Sequence, residues 1–226
     1  MRKPKTILSE LAISALLVLA STGFAQIPIQ DTADHGAMDT LYITCTAPDL
    51  FEKDSITVSF DLICWTDAYF PNEHIVGWSY SFIMTSSNAG SSARVIIDER
   101  ADGPVYKGTA VGVPNDWQAR FNSAYPTSGA LPASVIYGAI QDLLPPQDAG
   151  PSLFYGKHIL AHIIVIVKDT TTICIDTASV ETQGNIFVRN DAVIYAPLWI
   201  KSCCPVTPLT CLYKPGDANG DGKVDL

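Results

Sequence analysis

Residues 216–226, GDANGDGKVDL, place oxygen-bearing side chains at every second position: Asp217, Asn219 and Asp221. Gly222 follows, then Lys223, whose backbone carbonyl is available as a ligand, and Asp225. A tightly curled loop aims alternate residues at one centre, and a residue without Cβ lets it turn sharply. Such a centre suits a hard cation that takes about six to eight oxygens, which is Ca2+. Val224 supplies the apolar position that anchors a loop of this kind to a partner. The closing bidentate carboxylate at position 12 would fall at residue 228, two beyond Leu226. Residues 1–226 are therefore expected to hold Ca2+ weakly, at about millimolar or worse.

The other candidate chemistries are poorer. Trp78, Tyr80 and Phe82 form an aromatic stripe that would stack on sugars if exposed, but their alternates are Gly77, Ser79 and Ser81, so the aromatics are expected to fill the core. Trp65, Trp117 and Trp199 lie near strand ends or loops and are expected to be the more exposed tryptophans. His158 and His162 would pair around a metal on a helix; on a strand they share a face roughly 13 Å apart, too far for one ion. Glu52, Glu73, Glu99, Glu181, Asp61 and Asp98 form no spaced carboxylate pair, and neither a G-x-S-x-G elbow nor an HExxH motif occurs. Catalysis is not expected.

What positions these residues is a chain of strands. Ile56, Val58, Phe60, Leu62 and Cys64 alternate with polar residues, as do Trp78, Tyr80, Phe82 and Met84. Further β-rich runs cover 41–46, 93–98, 134–140, 158–168, 172–177, 185–189 and 192–200, separated by turn chemistry such as Gln183-Gly184-Asn185. The only short helix candidate is 116–124, although a strand around 117–121 is also expected there. Eight or nine such strands without intervening helices make an all-β antiparallel sandwich over 40–200. Val58, Phe60, Trp78, Tyr80, Phe82, Ile164 and Ile166 are its expected core.

The ends of the chain read differently. Arg2, Lys3 and Lys5 precede an apolar run from Leu11 to Ala20 and small residues up to Ala25, which is the pattern of a secretory signal peptide over 1–25. No later stretch is long and apolar enough for a membrane span. Residues 26–39 are a linker, and 201–215, with Cys203, Cys204, Cys211 and three prolines, are a second. Cleavage would remove three of the 14 basic residues and one of the 23 acidic ones, leaving a net charge of −11. That balance argues against nucleic acid or an anionic membrane as partner.

All six cysteines, Cys45, Cys64, Cys174, Cys203, Cys204 and Cys211, lie beyond the signal. An even count in an exported chain favours disulfides, and no C-x2-C pair suggests zinc. Connectivity stays open at this level. Cys45 and Cys64 occupy consecutive strands with a turn near 52–55, so one option joins them across a hairpin. Cys203 and Cys204 would then bond outward, one to Cys211 and the other to Cys174. All six are expected to be oxidised.

GDANGDGKVDL resembles the opening of a type I dockerin repeat, a calcium module at the C-termini of exported bacterial proteins that plugs into cohesin domains. The resemblance implies a partial EF-hand-type loop with Asp217, Asn219, Asp221, Lys223 and Asp225 as ligands, and a cohesin-type partner for the full module. VGWSYSFIM at 76–84 and YGKHILAHIIVIVKDTTTICID at 155–176 are similar to strands of cohesin-like or carbohydrate-binding-module-like sandwiches. This likeness implies an exported, extracellular or cell-surface adhesion or scaffold module that is not catalytic. The alternatives are a carbohydrate-binding module, with polysaccharide as ligand, or a small glycoside hydrolase.

Overall fold

The computed structural model describes residues 36–45, 50–52, 55–68, 73–88, 92–115, 117–142, 151–177 and 185–206. They form two sheets packed face to face. The first runs β12 (Leu198–Ile200), β1 (Thr40–Cys45), β3 (Ser55–Thr66), β8 (Gly156–Val167) and β5 (Arg94–Val95), with β2 (Leu50–Glu52) also on β3. The second runs β11 (Ile194–Tyr195), β10 (Ile186–Arg189), β4 (Ile75–Ser86), β7 (Ala133–Ile140) and β6 (Ala119–Tyr125). Beyond Phe82 the β10 side of β4 pairs with β9 (Thr171–Thr177), which in turn holds β13 (Ser202–Val206). All of these pairings are antiparallel except β1 with β12. The antiparallel sandwich expected from the period-two pattern is what forms, and it reaches to Val206.

The core is one cluster built from the inward alternates of both sheets. Val58, Phe60, Trp78, Tyr80 and Phe82 are all buried in it as expected. Trp199 leans in from β12 onto Tyr80 and Phe82, at ring-centroid distances of 5.5 and 5.0 Å. Ile164 is buried in the same cluster as expected, although its register partner is Ser59, at an outward position of β3. Ile166, also expected in the core, stands opposite Thr57 and is only half-buried, while Ile163 and Val165 oppose Phe60 and Val58. In a run as uniformly apolar as 163–167, alternation carries no information about which parity is inward.

Other expectations change with the pairing. Residues 119–125 are strand β6, held by seven register pairs to β7, and not a helix. The run expected at 192–200 divides into β11 and β12 around Pro197. Residues 202–206, expected as linker, are an edge strand; Pro205 is tolerated because an edge residue can spare its N–H. The segment 168–170 crosses between sheets, from β8 in the first to β9 in the second.

The cysteines follow the register. β1 and β3 do form the expected antiparallel pair, but Cys45 stands opposite Phe60 and Cys64 opposite Leu41. The two sulfurs are four residues out of step on one face, roughly 13 Å along the strand, so the Cys45–Cys64 bridge is ruled out. Instead Cys45 bonds Cys204, and Cys174 bonds Cys203, its direct partner across β9 and β13. Adjacent residues on a strand point to opposite faces. Cys203 therefore bonds within its own sheet, while Cys204 reaches through to β1 and ties the sheets together. Cys64 is fully buried and takes part in neither of these two bridges. Cys211 lies outside the described residues.

Candidate functional site: the two outer sheet faces

The residues expected to hold Ca2+, Asp217 to Asp225, lie outside the described residues, as do the expected signal segment 1–25 and residues 26–35 of the linker expected over 26–39. At the end of that stretch Asp39 is buried, accepting from the Tyr195 hydroxyl, and its carbonyl accepts from the Leu198 N–H. Among the described residues no group of three or more His, Cys, Asp or Glu is arranged for a metal. The aromatic stripe of β4 is core: Trp78, Tyr80 and Phe82 are at most 2% exposed. Of the tryptophans expected at the surface, Trp117 is buried, with Nε1 donating to the Pro151 carbonyl at 2.8 Å. Trp65 is half-buried and meets exposed Tyr155 at 6.1 Å and 68° between planes, so the two rings do not share one flat surface.

The two histidines do not share a face. The register of β3 and β8 shifts between Leu62 and Ile63, leaving Leu160 as an extra residue on β8. A bulge of this kind reverses parity. His158 thus stands opposite inward Cys64, with its Nε2 at 2.6 Å from the Phe154 carbonyl, and His162 opposite outward Asp61. His162 Nδ1 lies 2.7 Å from Asp61 Oδ1, and Nε2 lies 3.2 Å from the Lys107 carbonyl. That second contact pins the loop 101–115 against β8.

The outer face of the second sheet is assembled row by row from the register. Ile186, Ser79, Gly138 and Phe121 make one row; Val188, Gly77, Ile140 and Ala119 make the next. On the other side of the first row lie Ser81, Ile136 and Ser123, then Ile83, Ser134 and Tyr125. None of these outward positions carries a charge. Ile83 is 42% and Tyr125 79% exposed. Small residues at the centre keep the surface low. Gly138 is required there, because a Cβ would come within 2.1 Å of the Phe121 ring that lies across it. Four rows spanning residues 77–83 of β4, with β10 present in the first two, make a platform roughly 15–20 Å by 20 Å.

This face was legible in part. No Asp, Glu, Lys or Arg occurs in 75–93 or in 121–141, but only pairing shows that the two stretches lie side by side. Charge collects at the margins in bonded pairs. Hydrogen bonding to Arg100 holds the Asp98 carboxyl below its usual range, and Lys201 does the same for Asp176. Arg189, itself nearly buried, lowers Asp191 through two hydrogen bonds at 3.1 and 2.6 Å.

By sequence, no family model and no curated protein matches the chain. Solved structures with a related arrangement of strands include a type II cohesin domain from the cellulosome of Acetivibrio cellulolyticus, 10% identical, with a TM-score of 0.44, covering 76% of this chain and 96% of that one. Another is a type III cohesin module from a cell-surface anchoring scaffoldin of Ruminococcus flavefaciens, at 13% identity, TM-score 0.45, and coverage of 81% and 93%. The second type II cohesin module of an Acetivibrio cellulolyticus adaptor scaffoldin gives 8%, 0.44, 76% and 98%. Identity and superposition at this level assign no family. The class that the chain's own structure defines is a two-sheet antiparallel β-sandwich with a disulfide between its sheets.

Proposed function

We propose that the chain is an exported, non-catalytic adhesion module whose second sheet docks a protein partner through its outer face. The observation that carries this reading is the absence of charge from the outward positions of β10, β4, β7 and β6. Protein interfaces are depleted of charge at their centres, and a platform of this size would form the central part of a standard interface, which buries about 800 Å2 per partner. Residues 216–226 would add a second, calcium-dependent attachment of dockerin type, in which Asp217, Asn219, Asp221, Asp225 and the Lys223 carbonyl supply oxygens to Ca2+.

The resemblance of 76–84 and 155–176 to cohesin strands names the first probe, a panel of purified dockerin modules. Binding to the mature chain should be lost in Ile83→Asp and Ile136→Asp with the circular-dichroism spectrum unchanged. Binding that survives both substitutions would remove the second sheet from the proposal. For the terminal loop, calorimetry should find weak Ca2+ uptake that Asp217→Ala or Asp221→Ala abolishes. Uptake unaffected by both would remove the dockerin assignment.

A further inference from the structure

The first sheet presents a different surface. Among the described cations, Arg100, Arg189 and Lys201 each pair with a carboxylate, and Arg120 donates to the Trp117 carbonyl. Arg94, Lys107, Lys157 and Lys168 are all exposed and make no ion pair with a described carboxylate. By backbone position these four follow β8 from its first residues to just beyond its last. Lys157 stands opposite outward Trp65 and Arg94 opposite outward Ile166. Lys107 is fastened beside β8 by His162, and Lys168 follows the last residue of β8. The one carboxylate at an outward position of β1, β3 or β8 is Asp61, and it is bonded to His162.

Beside this cationic line lies apolar surface. Ile200, Tyr42, Ile63 and Ile159 form one row across β12, β1, β3 and β8; Ile63 is buried and Tyr42 and Ile159 half-buried, so the open part of the row lies towards β12. In the neighbouring row, Leu198 and Trp65 flank Thr40. Leu198 is 48% and Ile200 49% exposed. On a mature chain of net charge −11, a row of unneutralised cations is a local field of opposite sign to the molecule as a whole, and it selects for negative charge in whatever approaches.

We propose that the outer face of the first sheet docks an acidic polypeptide surface with an apolar centre. Its carboxylates meet Lys157, Lys107, Arg94 and Lys168, and its apolar side chains settle on Leu198, Ile200, Tyr42 and Trp65. Charge complementarity selects an acidic partner. The exposed aliphatic residues select a polypeptide over an anionic glycan, which would leave them uncovered. This surface lies on the opposite side of the sandwich from the one assigned above, so the module would join two partners at once.

The test uses the mature chain, residues 26–226, with short capped peptides that alternate glutamate with leucine, or glutamine with leucine, and polygalacturonate as the anionic glycan. Affinity is read by fluorescence anisotropy, and the site by amide NMR shifts. The acidic peptide should bind about tenfold tighter than the neutral one, with an advantage that fades as salt is raised. The shifts should centre on Tyr42, Trp65 and Lys157. Lys157→Glu with Arg94→Glu should erase the preference, and Ile200→Asp should weaken binding about tenfold. Lys201→Glu and Ile83→Asp should change nothing, which separates this face from the second sheet. Equal binding of the two peptides, shifts on the second sheet, or tighter binding of polygalacturonate that is insensitive to Ile200→Asp would each overturn the proposal.

Discussion

Phe82 is the most direct probe of how the sandwich is held together. Its ring is fully buried and touches three others: Tyr80 at 5.1 Å, Tyr137 at 6.2 Å and Trp199 at 5.0 Å between centroids. Trp199 belongs to β12 of the first sheet, so the Phe82–Trp199 contact spans the sandwich. Returning such a ring to water costs about 1.5–3 kcal/mol. The cavity and the lost aromatic contacts raise the expected cost of Phe82→Ala to about 3–5 kcal/mol. At about 2–4 °C per kcal/mol for a chain of this size, Tm should fall by about 6–20 °C. Phe82→Leu, which keeps much of the volume, should cost only about 1–1.5 kcal/mol. Urea denaturation under non-reducing conditions measures both, and an unchanged m-value would show that the compactness of the end states is unaltered. A loss below about 1 kcal/mol for Phe82→Ala would mean that the ring is not in a packed core, and the arrangement of the two sheets would be wrong.

Mass mapping of non-reduced peptides should join Cys45 with Cys204 and Cys174 with Cys203, with Cys64 in neither. Iodoacetamide should leave Cys64 unlabelled until the protein is unfolded. Because their sequence separations are 159 and 29 residues, replacing Cys45 and Cys204 by serine should cost about 4–5 kcal/mol, against about 3–4 kcal/mol for Cys174 and Cys203. Asp98, Asp176 and Asp191 have lowered folded pKa values because Arg100, Lys201 and Arg189 hydrogen-bond to them. Their stabilisation is present above the unfolded carboxylate value of about 4 and is lost as pH falls through the lowered folded values. The urea midpoint should therefore drop on acidification below about pH 4, and Asp176→Asn with Asp191→Asn should shrink that drop. Gly138→Val should displace the Phe121 ring and lower Tm, whereas Ser134→Val, on the same strand and face, should leave Tm nearly unchanged.

Much of the architecture is local and therefore readable along the chain. A strand with one buried face must alternate, so β3 and β4 announce themselves through Val58, Phe60, Trp78, Tyr80 and Phe82. The all-β class follows from the same local chemistry. Where both faces are apolar, alternation goes silent, and the inward parity of 163–167 is set only by pairing with β3. The bulge at Leu160 is equally invisible, yet it sends His158 and His162 to opposite faces.

The pairing of the cysteines, the assignment of strands to sheets and the two surfaces were decided by tertiary structure. Residues 75–93 and 121–141 are each visibly free of charge, but one uncharged face exists only because β4, β7 and β6 are neighbours. Arg94, Lys107, Lys157 and Lys168 are scattered over 75 residues and form one line only because β5 and the 101–115 loop pack against β8. The physical reason is common to all of these. Side-chain period is a property of one strand, whereas register and sheet order are set by which non-local contacts bury the most apolar surface.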